Sequence, residues 1–534
     1  MNHIDGDLIV MMKKDIKGTD FISAYSTFQG RATELRFSQL LSKRMNIWLL
    51  HFNSSIINGN ALLSAIKHDN RVLNAQFNFF VKPRNTPDDP DFKFQWGLSN
   101  TGQSVQGITG ISGADISAED AWDLTTGGTM ANGATIVIAI DDDGFDLAHQ
   151  DIRFWKNAYE IPDNQVDDDS NGYVDDYDGW NAVDTNNIIS SSSHGTKVAG
   201  VAGATGNNEI GITGMNWNVE IMPVIGLGTE AQVIASYSYI LEMRFLYNQS
   251  QGTKGALVVA ANASLGLGEF GEDPANHPLW CTMYDSMGRV GILNVVATSN
   301  ANVDIDVVND VPTSCASDWL ITVTNTTSTD QKYPSGAAWG DTTVDLGAPG
   351  TNILSTDQNN AYTYSTGCSV SAPFVAGAVS LLYSLQCNQL VIDALNDPSG
   401  TALRIKKFIL EGIDSIADLK DKTVSGGRLN VNRSLEHEVA YYNCNVAVQE
   451  PEQKKENVRL YPNPVTNDLF VHLEVASQSP SFISLTDIFG RTIFSELLNS
   501  IDSRLNLSKI PKGIYAVTIK TDTGMVHTSI IVKN

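Results

Sequence analysis

Short apolar runs, separated by stretches of helical periodicity, constrain the fold of this chain more than any other feature. The runs TIVIAI, ALVVAAN and GILNVVAT lie between residues 95 and 440, and they are continuously apolar rather than alternating. Strands buried on both faces are typical of a parallel sheet that is covered by helices on each side. The pattern therefore predicts an α/β domain over residues 95–440, with three layers around a mainly parallel sheet.

Different patterns flank this domain on both sides. Residues 1–84 alternate between strand-like and helix-like stretches in the order β-α-β-β-α-β, which predicts a small α+β domain. Residues 458–534 contain short strands separated by turn signals, which is typical of a small β-sandwich. We interpret the intervening segments, 85–94 and 441–457, as linkers. A chain of 534 residues is long enough for several domains.

The charge of the chain is strongly negative and unevenly distributed. The net charge is −25, which argues against nucleic acid as a partner. Residues 1–84 nevertheless contain 11 Lys and Arg against 6 Asp and Glu, so the rest of the chain is more acidic still. This asymmetry indicates that the N-terminal domain docks on the acidic body, although an ordinary solvated surface explains the same charges equally well.

The sequence carries no feature that predicts membrane insertion. No run of 18 or more apolar residues occurs, so we expect no membrane span. The N-terminus lacks the order of charged and then apolar regions of a signal peptide. If the protein is exported, we expect that its signal has been removed or is not included in this sequence.

Three residues stand in sequence contexts that suit nucleophilic catalysis. Ser369 lies in YSTGCSVSAPFVA, His194 opens the small-residue stretch SSSHGTKVAGVAGA, and Asp142 ends the predicted strand in IVIAIDDDGFD. A serine nucleophile needs a base to accept its proton and a carboxylate to orient that base. Taken singly, the three are better explained as a helix cap, a histidine at a helix start and a turn residue. Their combination favours a catalytic triad.

The strings around these residues resemble those of the subtilisin-like (subtilase) serine endopeptidases, peptidase family S8. The order Asp, His, Ser is the order found in subtilisin. The resemblance covers roughly residues 92–440 and implies a subtilisin-like fold. The matching strings are DDG at 142–144, HGTKVAG at 194–200, ASLG at 263–266, DLGAPGTNILST at 345–356 and GCSVSAP at 367–373.

The resemblance implies a role for each of seven residues. Ser369 would be the nucleophile, His194 the general base and then acid, and Asp142 the orienting carboxylate. The side-chain amide of Asn300 would stabilise the oxyanion together with the backbone N–H of Ser369. The substrate-binding strand, which pairs with an extended peptide, would be Ser264, Leu265 and Gly266.

The segment around the nucleophile has a physical rationale and some departures from the family. We expect Ser369 to start a helix whose positive end favours the oxyanion, with Pro373 in its first turn. Position 368 is Cys, where the family usually has Thr. Position 299 is Ser rather than Gly, and position 374 is Phe where His is common. None of these changes removes a triad member, so we still expect activity.

The five cysteines, at 281, 315, 368, 387 and 444, show no CxxC spacing, which disfavours a zinc site. Spacing alone does not pair them. An odd number leaves at least one free thiol unless a bond is intermolecular. For Cys368 we favour the role of a small buried hydrophobic residue, and the alternative is a thiol that makes the enzyme sensitive to mercurials.

An acidic loop, DDDSNGYVDDYD at residues 167–178, has the spacing of a calcium loop. Gly172 lies at the turn position, and the last ligand position holds Asp rather than the usual Glu. The subtilase family often binds structural calcium, which favours calcium over the alternative of a solvated acidic loop. The predicted ligands are Asp167, Asp169, Asn171, Tyr173 through its carbonyl, Asp175 and Asp178.

The flanking domains also resemble known segments. Residues 1–84 resemble subtilase pro-segments, which act as intramolecular chaperones and inhibitors and are then cut off. The tail resembles the C-terminal sorting domain of the type IX secretion pathway of Bacteroidota, which implies passage across the outer membrane and then release or surface attachment. The strings that carry this resemblance are YPNP at 461–464, DIFGR at 487–491 and KGIYAVTI at 512–519.

Together these features predict a secreted or surface-attached, monomeric serine endopeptidase that is made as a self-processing precursor. Its expected partners are a protein or peptide substrate, its own pro-segment and the outer-membrane secretion machinery. The alternative is a catalytically inactive homologue that serves as an extracellular binding or adhesive protein. The residue preference at the cleavage site is not determined by the sequence.

Overall fold

Contacts along the chain divide it into two units, residues 1–443 and 444–534. The computed structural model describes residues 3–14, 16, 18–79, 85–268 and 270–444. In the C-terminal unit it describes residues 458–461, 465–473, 481–486, 492–498, 502–520 and 526–533. The predicted linker 441–457 therefore lies almost wholly outside the described residues, as do Glu269 and residues 80–84.

The first 79 residues form a four-stranded antiparallel sheet with two helices. The strand order is β4-β5-β1-β6, and Leu8, Leu50 and Leu62 are among the residues of its own apolar core. The observed elements follow the predicted β-α-β-β-α-β order, with one short additional hairpin. They are β1 His3–Met12, α1 Gly18–Ala24, β2 Thr27–Phe28, β3 Arg31–Ala32, β4 Arg36–Ser42, β5 Ile47–His51, α2 Gly59–Lys67 and β6 Val72–Phe79.

A nine-stranded sheet forms the centre of the next domain, in the order β10-β11-β9-β12-β13-β14-β15-β19-β18. All of its pairs are parallel except β18–β19. The predicted α/β fold with a mainly parallel sheet is therefore confirmed. The strands of this region are β7 Ser104–Val105, β8 Ile108–Thr109, β9 Ile136–Asp142, β10 Trp180–Asn181, β11 Glu220–Ile225, β12 Leu257–Ala263, β13 Leu293–Ala297, β14 Leu320–Thr326, β15 Leu346–Pro349, β16 Ile353–Asp357, β17 Ala361–Ser365, β18 Asp414–Ser415 and β19 Gly427–Arg428.

Helices cover both faces of this sheet. The side chain of Asp142 bonds to His194 on α4, and the preceding Asp141 accepts a bond from Ser236 on α5. Because consecutive strand residues point to opposite faces, α4 and α5 lie on opposite sides of the sheet. The helices are α3 Ala118–Trp122, α4 Ser193–Gly203, α5 Glu230–Ser250, α6 Pro278–Arg289, α7 Ile305–Val308, α8 Ala372–Tyr383, α9 Asn388–Asn396, α10 Pro398–Glu411 and α11 Val431–Tyr442.

The central helix α8 is buried along its whole length, which explains its apolar sequence APFVAGAVSLLY. It packs against α4, where a side chain at Gly377 would meet Met215 and the carbonyl oxygen of Ala202 at 2.6 and 2.8 Å. Among the described residues, no single helix is long and apolar enough to cross a membrane. One bent pair, Cys368–Tyr383 with Asn388–Asn396, passes that test by length and composition only.

The C-terminal unit consists of a three-stranded sheet, β20-β21-β24, and a four-stranded sheet, β23-β22-β25-β26. Leu469 and Val471 from the first sheet share a core with Ile483 and Val517 from the second, so the two sheets pack as a sandwich. The predicted string KGIYAVTI falls largely in β25, whereas DIFGR and most of YPNP lie outside the described residues. The strands are β20 Val458–Tyr461, β21 Asp468–Leu473, β22 Ser481–Thr486, β23 Thr492–Leu498, β24 Asp502–Asn506, β25 Gly513–Lys520 and β26 Val526–Lys533.

Candidate active site

Three neighbouring strands of the large sheet deliver predicted site residues to one edge. Asp142 ends β9, Ser264 directly follows β12, and Asn300 lies three residues beyond β13. The strands β9, β12 and β13 are adjacent and parallel, with Ala263 paired to both Asp141 and Val296. Their carboxyl ends therefore meet at the same edge, which is where open α/β sheets bind ligands.

Asp142 and His194 form a direct pair at this edge. Asp142 Oδ1 lies 2.6 Å from His194 Nδ1, and the Asp142 side chain is 2% exposed while that of His194 is 40% exposed. The helix that carries His194 lies close to residues 142–144 because the next residue is Gly195. A side chain there would meet the carbonyl oxygen of Gly144 at 2.2 Å and Asp142 Cβ at 3.1 Å.

The electrostatics of this pair suit a proton acceptor. The hydrogen bond to Asp142 raises the pKa of His194 above its ordinary value, and burial of the imidazole only partly opposes this. Burial raises the pKa of Asp142, and the bond from His194 counteracts that effect. Oxygen Oδ1 of Asp142 also accepts the backbone N–H of Asp143 at 2.8 Å. The carboxylate thus holds Nδ1 of the imidazole and leaves Nε2 on the exposed side.

Ser369 lies in a 3-10 turn, Cys368–Val370, between the hairpin β16–β17 and helix α8. It is partly exposed, whereas both of its neighbours, Cys368 and Val370, are buried. The expectation that Ser369 itself starts the helix differs from the structure, because α8 begins three residues later, at Ala372. A tight turn comes first because the N–H groups of Val370 and Ser371 bond back to Gly367 and Cys368. Pro373 lies in the first turn of α8, as expected.

Asn300 and Ser264 both contact the turn that carries Ser369. Asn300 Oδ1 accepts the backbone N–H of Cys368 at 2.7 Å, which leaves the Nδ2 group of the same amide as its donor. A side chain at Gly367 would meet Asn300 Oδ1 at 3.1 Å. Ser264 Oγ donates to the carbonyl oxygen of Ser369 at 2.9 Å. The nucleophile turn, the predicted oxyanion residue and the start of the predicted substrate strand are therefore in direct contact.

The rest of the predicted substrate strand runs beside a second segment. Leu265 is largely buried, and a side chain at Gly266 would meet the carbonyl oxygen of Val311 at 2.9 Å. The N–H of Leu267 donates to that same carbonyl at 2.9 Å. The strand is thus fixed on one side by residue 311.

Helix α4 connects the two halves of the site. Thr356 Oγ1 donates to the carbonyl oxygen of Thr196 at 2.7 Å, and Ser355 Oγ donates to that of Lys197 at 2.6 Å. Both donors belong to β16, which leads through the hairpin to Ser369. The segment before the nucleophile is therefore bonded to the first turn of the helix that carries His194.

Three of the six predicted calcium ligands, Asp167, Asp175 and Asp178, use their carboxylates in contacts with other protein groups. The carboxylate of Asp167 accepts backbone N–H groups within the loop, and that of Asp175 accepts the N–H groups of Asn164 and Gln165 just before it. The Asp178 side chain forms an ion pair with Lys156, and the ring of Tyr173 packs against the apolar core. These contacts hold the shape of the loop.

A smaller group in the same region brings three buried carboxylates together: Glu160, Asp169 and Asp176, with one oxygen of each within 4.8 Å of the others. Of these, only Asp169 belongs to the predicted set. Asn157 Nδ2 donates to Asp169 and to Asp176 at 3.0 Å, and Asn171 Nδ2 donates to Asp176 at 3.1 Å. Carboxylate oxygens are the ligands that calcium prefers, so this group fits a hard cation.

Two of these acids were not predicted from the sequence. Glu160 lies seven residues before the loop, and its carboxylate returns to accept the N–H groups of Asp168, Asp169 and Asp175. The calcium-loop spacing does not include position 176, so it does not predict Asp176 as a ligand. The only signal that could have found Glu160 is that it is an acid near an already acidic loop.

The cysteines agree with the expectation of a free thiol. Cys281 and Cys315 form a disulfide, and Cys387 and Cys444 are also disulfide-bonded. Cys368 is the free cysteine; it is buried, and Thr298 Oγ1 lies 3.3 Å from its sulfur. Burial raises the pKa of Cys368 to about 11, so the thiol stays protonated and suits a packing role.

Comparison with known proteins identifies two regions of the chain. The model described as "Subtilase family" matches residues 133–422, which is 290 of the 534 residues. The model described as "Secretion system C-terminal sorting domain" matches residues 459–533.

Individual relatives are identical to this chain at about a quarter of the aligned residues. The thermophilic serine proteinase of Bacillus sp. (strain AK1) is 24% identical over 417 residues, which cover 76% of this chain and 85% of that protein. Subtilisin-like protease 1 of Plasmodium berghei (strain Anka) is 23% identical, over 62% of this chain and 54% of that protein. The extracellular protease of Xanthomonas campestris pv. campestris is 28% identical, over 61% and 54%. The chain thus spans about half the length of several curated relatives.

Solved structures that are similar to this chain include a protease from Pseudoalteromonas arctica PAMC 21717. It is 20% identical, with a TM-score of 0.47, and the match covers 66% of this chain and 100% of that one. A cold adapted subtilisin-like serine proteinase is 21% identical, with a TM-score of 0.42 over 63% of this chain and 97% of that one.

Proposed function

Because the chain belongs to the subtilase family, we propose that it is a serine endopeptidase that uses Asp142, His194 and Ser369 to hydrolyse peptide bonds. The observation that carries this proposal is the 2.6 Å bond between Asp142 and His194 at the sheet edge where the Ser369 turn contacts Asn300. A buried carboxylate holding one nitrogen of an exposed imidazole is the arrangement that a general base requires.

In the proposed reaction, Ser369 Oγ attacks the carbonyl carbon of the scissile peptide bond, and Nε2 of His194 accepts the hydroxyl proton. The bond from Nδ1 to Asp142 fixes the tautomer and stabilises the imidazolium that forms. His194 then gives the proton to the leaving amine, which departs and leaves an acyl-enzyme on Ser369. Water, activated by the same histidine, hydrolyses the ester and regenerates the hydroxyl.

The negative oxygen of each tetrahedral intermediate needs preorganised donors. Asn300 supplies its Nδ2 group, because its Oδ1 already accepts the N–H of Cys368. The backbone N–H of Ser369 is the second proposed donor. Loss of one such donor lowers kcat by about 10²–10³-fold in subtilisin, the enzyme on which this figure was measured.

A fluorophosphonate probe tests this function against the alternative of an inactive binding or adhesive protein. We expect the mature protein to be labelled at Ser369 and to hydrolyse a peptide library, and the Ser369→Ala variant to do neither. Mature protein that is neither labelled nor active would favour the inactive alternative. The same library would give the residue preference at the cleavage site.

For residues 1–84 we propose the role of a pro-segment that is removed by the enzyme itself. The support is a separate sheet with its own core, together with the basic charge of the segment on an acidic chain. We expect Ser369→Ala to leave the precursor uncut near residues 82–92 in a protease-free host. Normal processing of that variant would exclude self-cleavage.

The isolated segment 1–84 should inhibit the mature enzyme in trans. Because opposite charges steer the encounter, its association rate should fall as salt rises from about 0.01 to 0.15 M, over which the Debye length shortens from about 30 to 8 Å. Stopped-flow inhibition measures this rate. A rate that does not depend on salt would mean that the charge asymmetry is incidental.

The sorting domain and the extracellular relatives point to a secreted or cell-surface protein. We further propose export through the type IX machinery, with the tail as its signal, and calcium binding by the group Glu160, Asp169 and Asp176. Deletion of residues 458–534 should retain the protein inside the outer membrane. Cell fractionation of the deleted and full-length forms decides this, and unchanged export would contradict the proposal.

A further inference from the structure

The short segment that carries Asn300, residues 299–303, is held along its length by other parts of the domain. The N–H of Ser299 donates to Asp310 Oδ2 at 3.0 Å, and its carbonyl oxygen accepts the N–H of Ala338 at 3.0 Å. The carbonyl oxygen of Val303 accepts the N–H of Trp339, also at 3.0 Å. We call residues 299–303 the oxyanion segment, and it runs beside residues 337–339.

One buried lysine bonds to both of these neighbouring segments. The ammonium group of Lys332 donates to Asn302 Oδ1 at 2.9 Å, to the carbonyl oxygen of Ala337 at 2.9 Å and to that of Tyr333 at 3.2 Å. Its side chain therefore joins the oxyanion segment, through Asn302, to the stretch that lies beside it. Asn302 is exposed. Its side chain is held to the protein by this bond from Lys332.

A lysine in this position is energetically unusual. Lys332 is 4% exposed, and lysine is among the residues that are least often fully buried. All three acceptors are neutral oxygens, and burial lowers the pKa of Lys332. Asp418, whose carboxylate accepts the backbone N–H of Lys332 at 2.9 Å, attracts the charge but does not bond to the ammonium group. Bonds from a charged donor are stronger than neutral ones, so the three contacts hold their acceptors firmly.

We propose that Lys332 is a positioning residue for the oxyanion: it holds Asn302 and thereby fixes the neighbouring Asn300 amide where it meets the developing negative charge. This inference rests on the proposed peptidase function. A donor that is displaced by a fraction of an ångström still allows substrate to bind but stabilises the transition state less. The expected consequence is a lower kcat with little change in KM.

The mildest test changes Asn302, because this exposed residue can be replaced without opening the core. Asn302→Ala removes the acceptor and should lower kcat about 3- to 30-fold, less than the 10²–10³-fold of losing a donor outright. Asn302→Asp keeps an acceptor oxygen and should restore most of the activity. Lys332→Met removes the ammonium group and should lower kcat at least as much as Asn302→Ala. Active-site titration with a fluorophosphonate normalises each rate to folded enzyme.

A double-mutant cycle separates positioning from a general loss of structure. In an Asn300→Ala background, Asn302→Ala and Lys332→Met should have almost no further effect on kcat, because the donor that they position is gone. Effects that persist in that background would overturn the proposal. If Lys332→Met does not fold, the Asn302 cycle decides alone.

A second measurement does not need activity. In the inactive Ser369→Ala chain, hydrogen exchange of residues 299–303 should be faster with Asn302→Ala and return towards the parent rate with Asn302→Asp. Unchanged exchange would overturn the proposal. If the wild-type enzyme hydrolyses nothing, the proposed function fails, and the exchange experiment still shows whether the bond between Lys332 and Asn302 holds the segment.

Discussion

Two groups of acids lie in the same domain and differ in what balances their charge. In the first, Asp142 and Asp143 lie beside His194, and in the second, Glu160, Asp169 and Asp176 lie together with no base among them. The first group contains a basic side chain, the imidazole of His194. The second contains only acids, so its balance must come from protons or from a cation.

The direct neighbours of the second group support this contrast. Burial raises the pKa of Asp176 to about 7, even though Tyr239, Asn157 and Asn171 all donate to its carboxylate. Burial likewise raises the pKa of Glu160. Lys254 is close, but its ammonium group donates to the backbone carbonyl oxygen of Asp169. A group of this kind gains most from a divalent ion, whereas the first group already holds a base, His194, beside its acids.

The largest expected effect is on the first group. Asp142→Asn should lower kcat about 10⁴-fold, because an amide in place of the carboxylate supports the wrong tautomer of His194. Asp143→Asn is the matched control, since Asp143 accepts the N–H of Gly195 but does not bond to the imidazole. Steady-state kinetics of both variants check this. If kcat fell equally in both variants, Asp142 would have no role distinct from that of Asp143.

The second prediction concerns calcium. EDTA should lower the Tm of the wild type, since an ion that binds only the native state stabilises it by about 2.7 kcal/mol at a hundredfold excess over Kd. Asp169→Ala and Asp176→Asn should blunt this response, as measured by thermal melts with and without added calcium.

Asp178→Ala distinguishes the two possible ligand sets. Asp178 belongs to the set predicted from loop spacing but not to the buried group. If the buried group binds the ion, this variant keeps the full response to EDTA, and its loss would restore the loop-spacing assignment. A melting curve that EDTA leaves unchanged in the wild type would exclude the calcium site altogether.

The third prediction uses the pH dependence of kcat/KM. His194 must be unprotonated to accept the proton of Ser369, so activity is present above the pKa of His194 and is lost as pH falls through it. Because Asp142 raises this pKa above the ordinary value of 6.5, the acid limb should lie above pH 6.5 in the free enzyme. An acid limb well below that value would contradict the assignment of His194.

The smallest expected effect is that of a change in the second group on catalysis, where we expect almost none. Asp169→Ala, assayed at a temperature where it is folded, should keep kcat/KM within about twofold of the wild type and leave the acid limb in place, since surface and structural changes away from the chemistry act mainly on stability. A shifted acid limb would mean that the two groups are coupled, and the contrast between them would no longer hold.

The two groups also differ in how far the sequence predicts them. Asp142 and His194 were predicted because each lies at a defined point of a regular element, a strand end and a helix start, and parallel strands bring such ends together. Asn300 and Ser264 also follow strand ends, but they were assigned through the resemblance to the subtilase family. In the structure both residues contact the turn that carries Ser369.

The second group was predicted only in part because a loop has no such rule. Glu160 reaches the group through bonds to backbone N–H groups, and any acid of similar reach would look the same in the sequence. The same holds for Lys332, which lies in the stretch TSTDQKYPSG, where no motif or periodicity marks it, and which contacts residues 299–303 only once the chain is folded. Likewise, the start of α8 at Ala372 depends on a turn that helix signals do not predict.

The disulfide between Cys281 and Cys315 encloses β13 and Asn300 in one covalent loop with a sequence separation of 34 residues. By the chain-entropy argument, closing a loop of this size restricts the unfolded chain by about 4 kcal/mol. Such bonds form in oxidising compartments and not in the cytoplasm. We therefore expect activity to depend on whether the protein has been exported. Before export, the segment that carries Asn300 lacks the restraint of the disulfide. It gains this restraint only after the chain has left the cytoplasm.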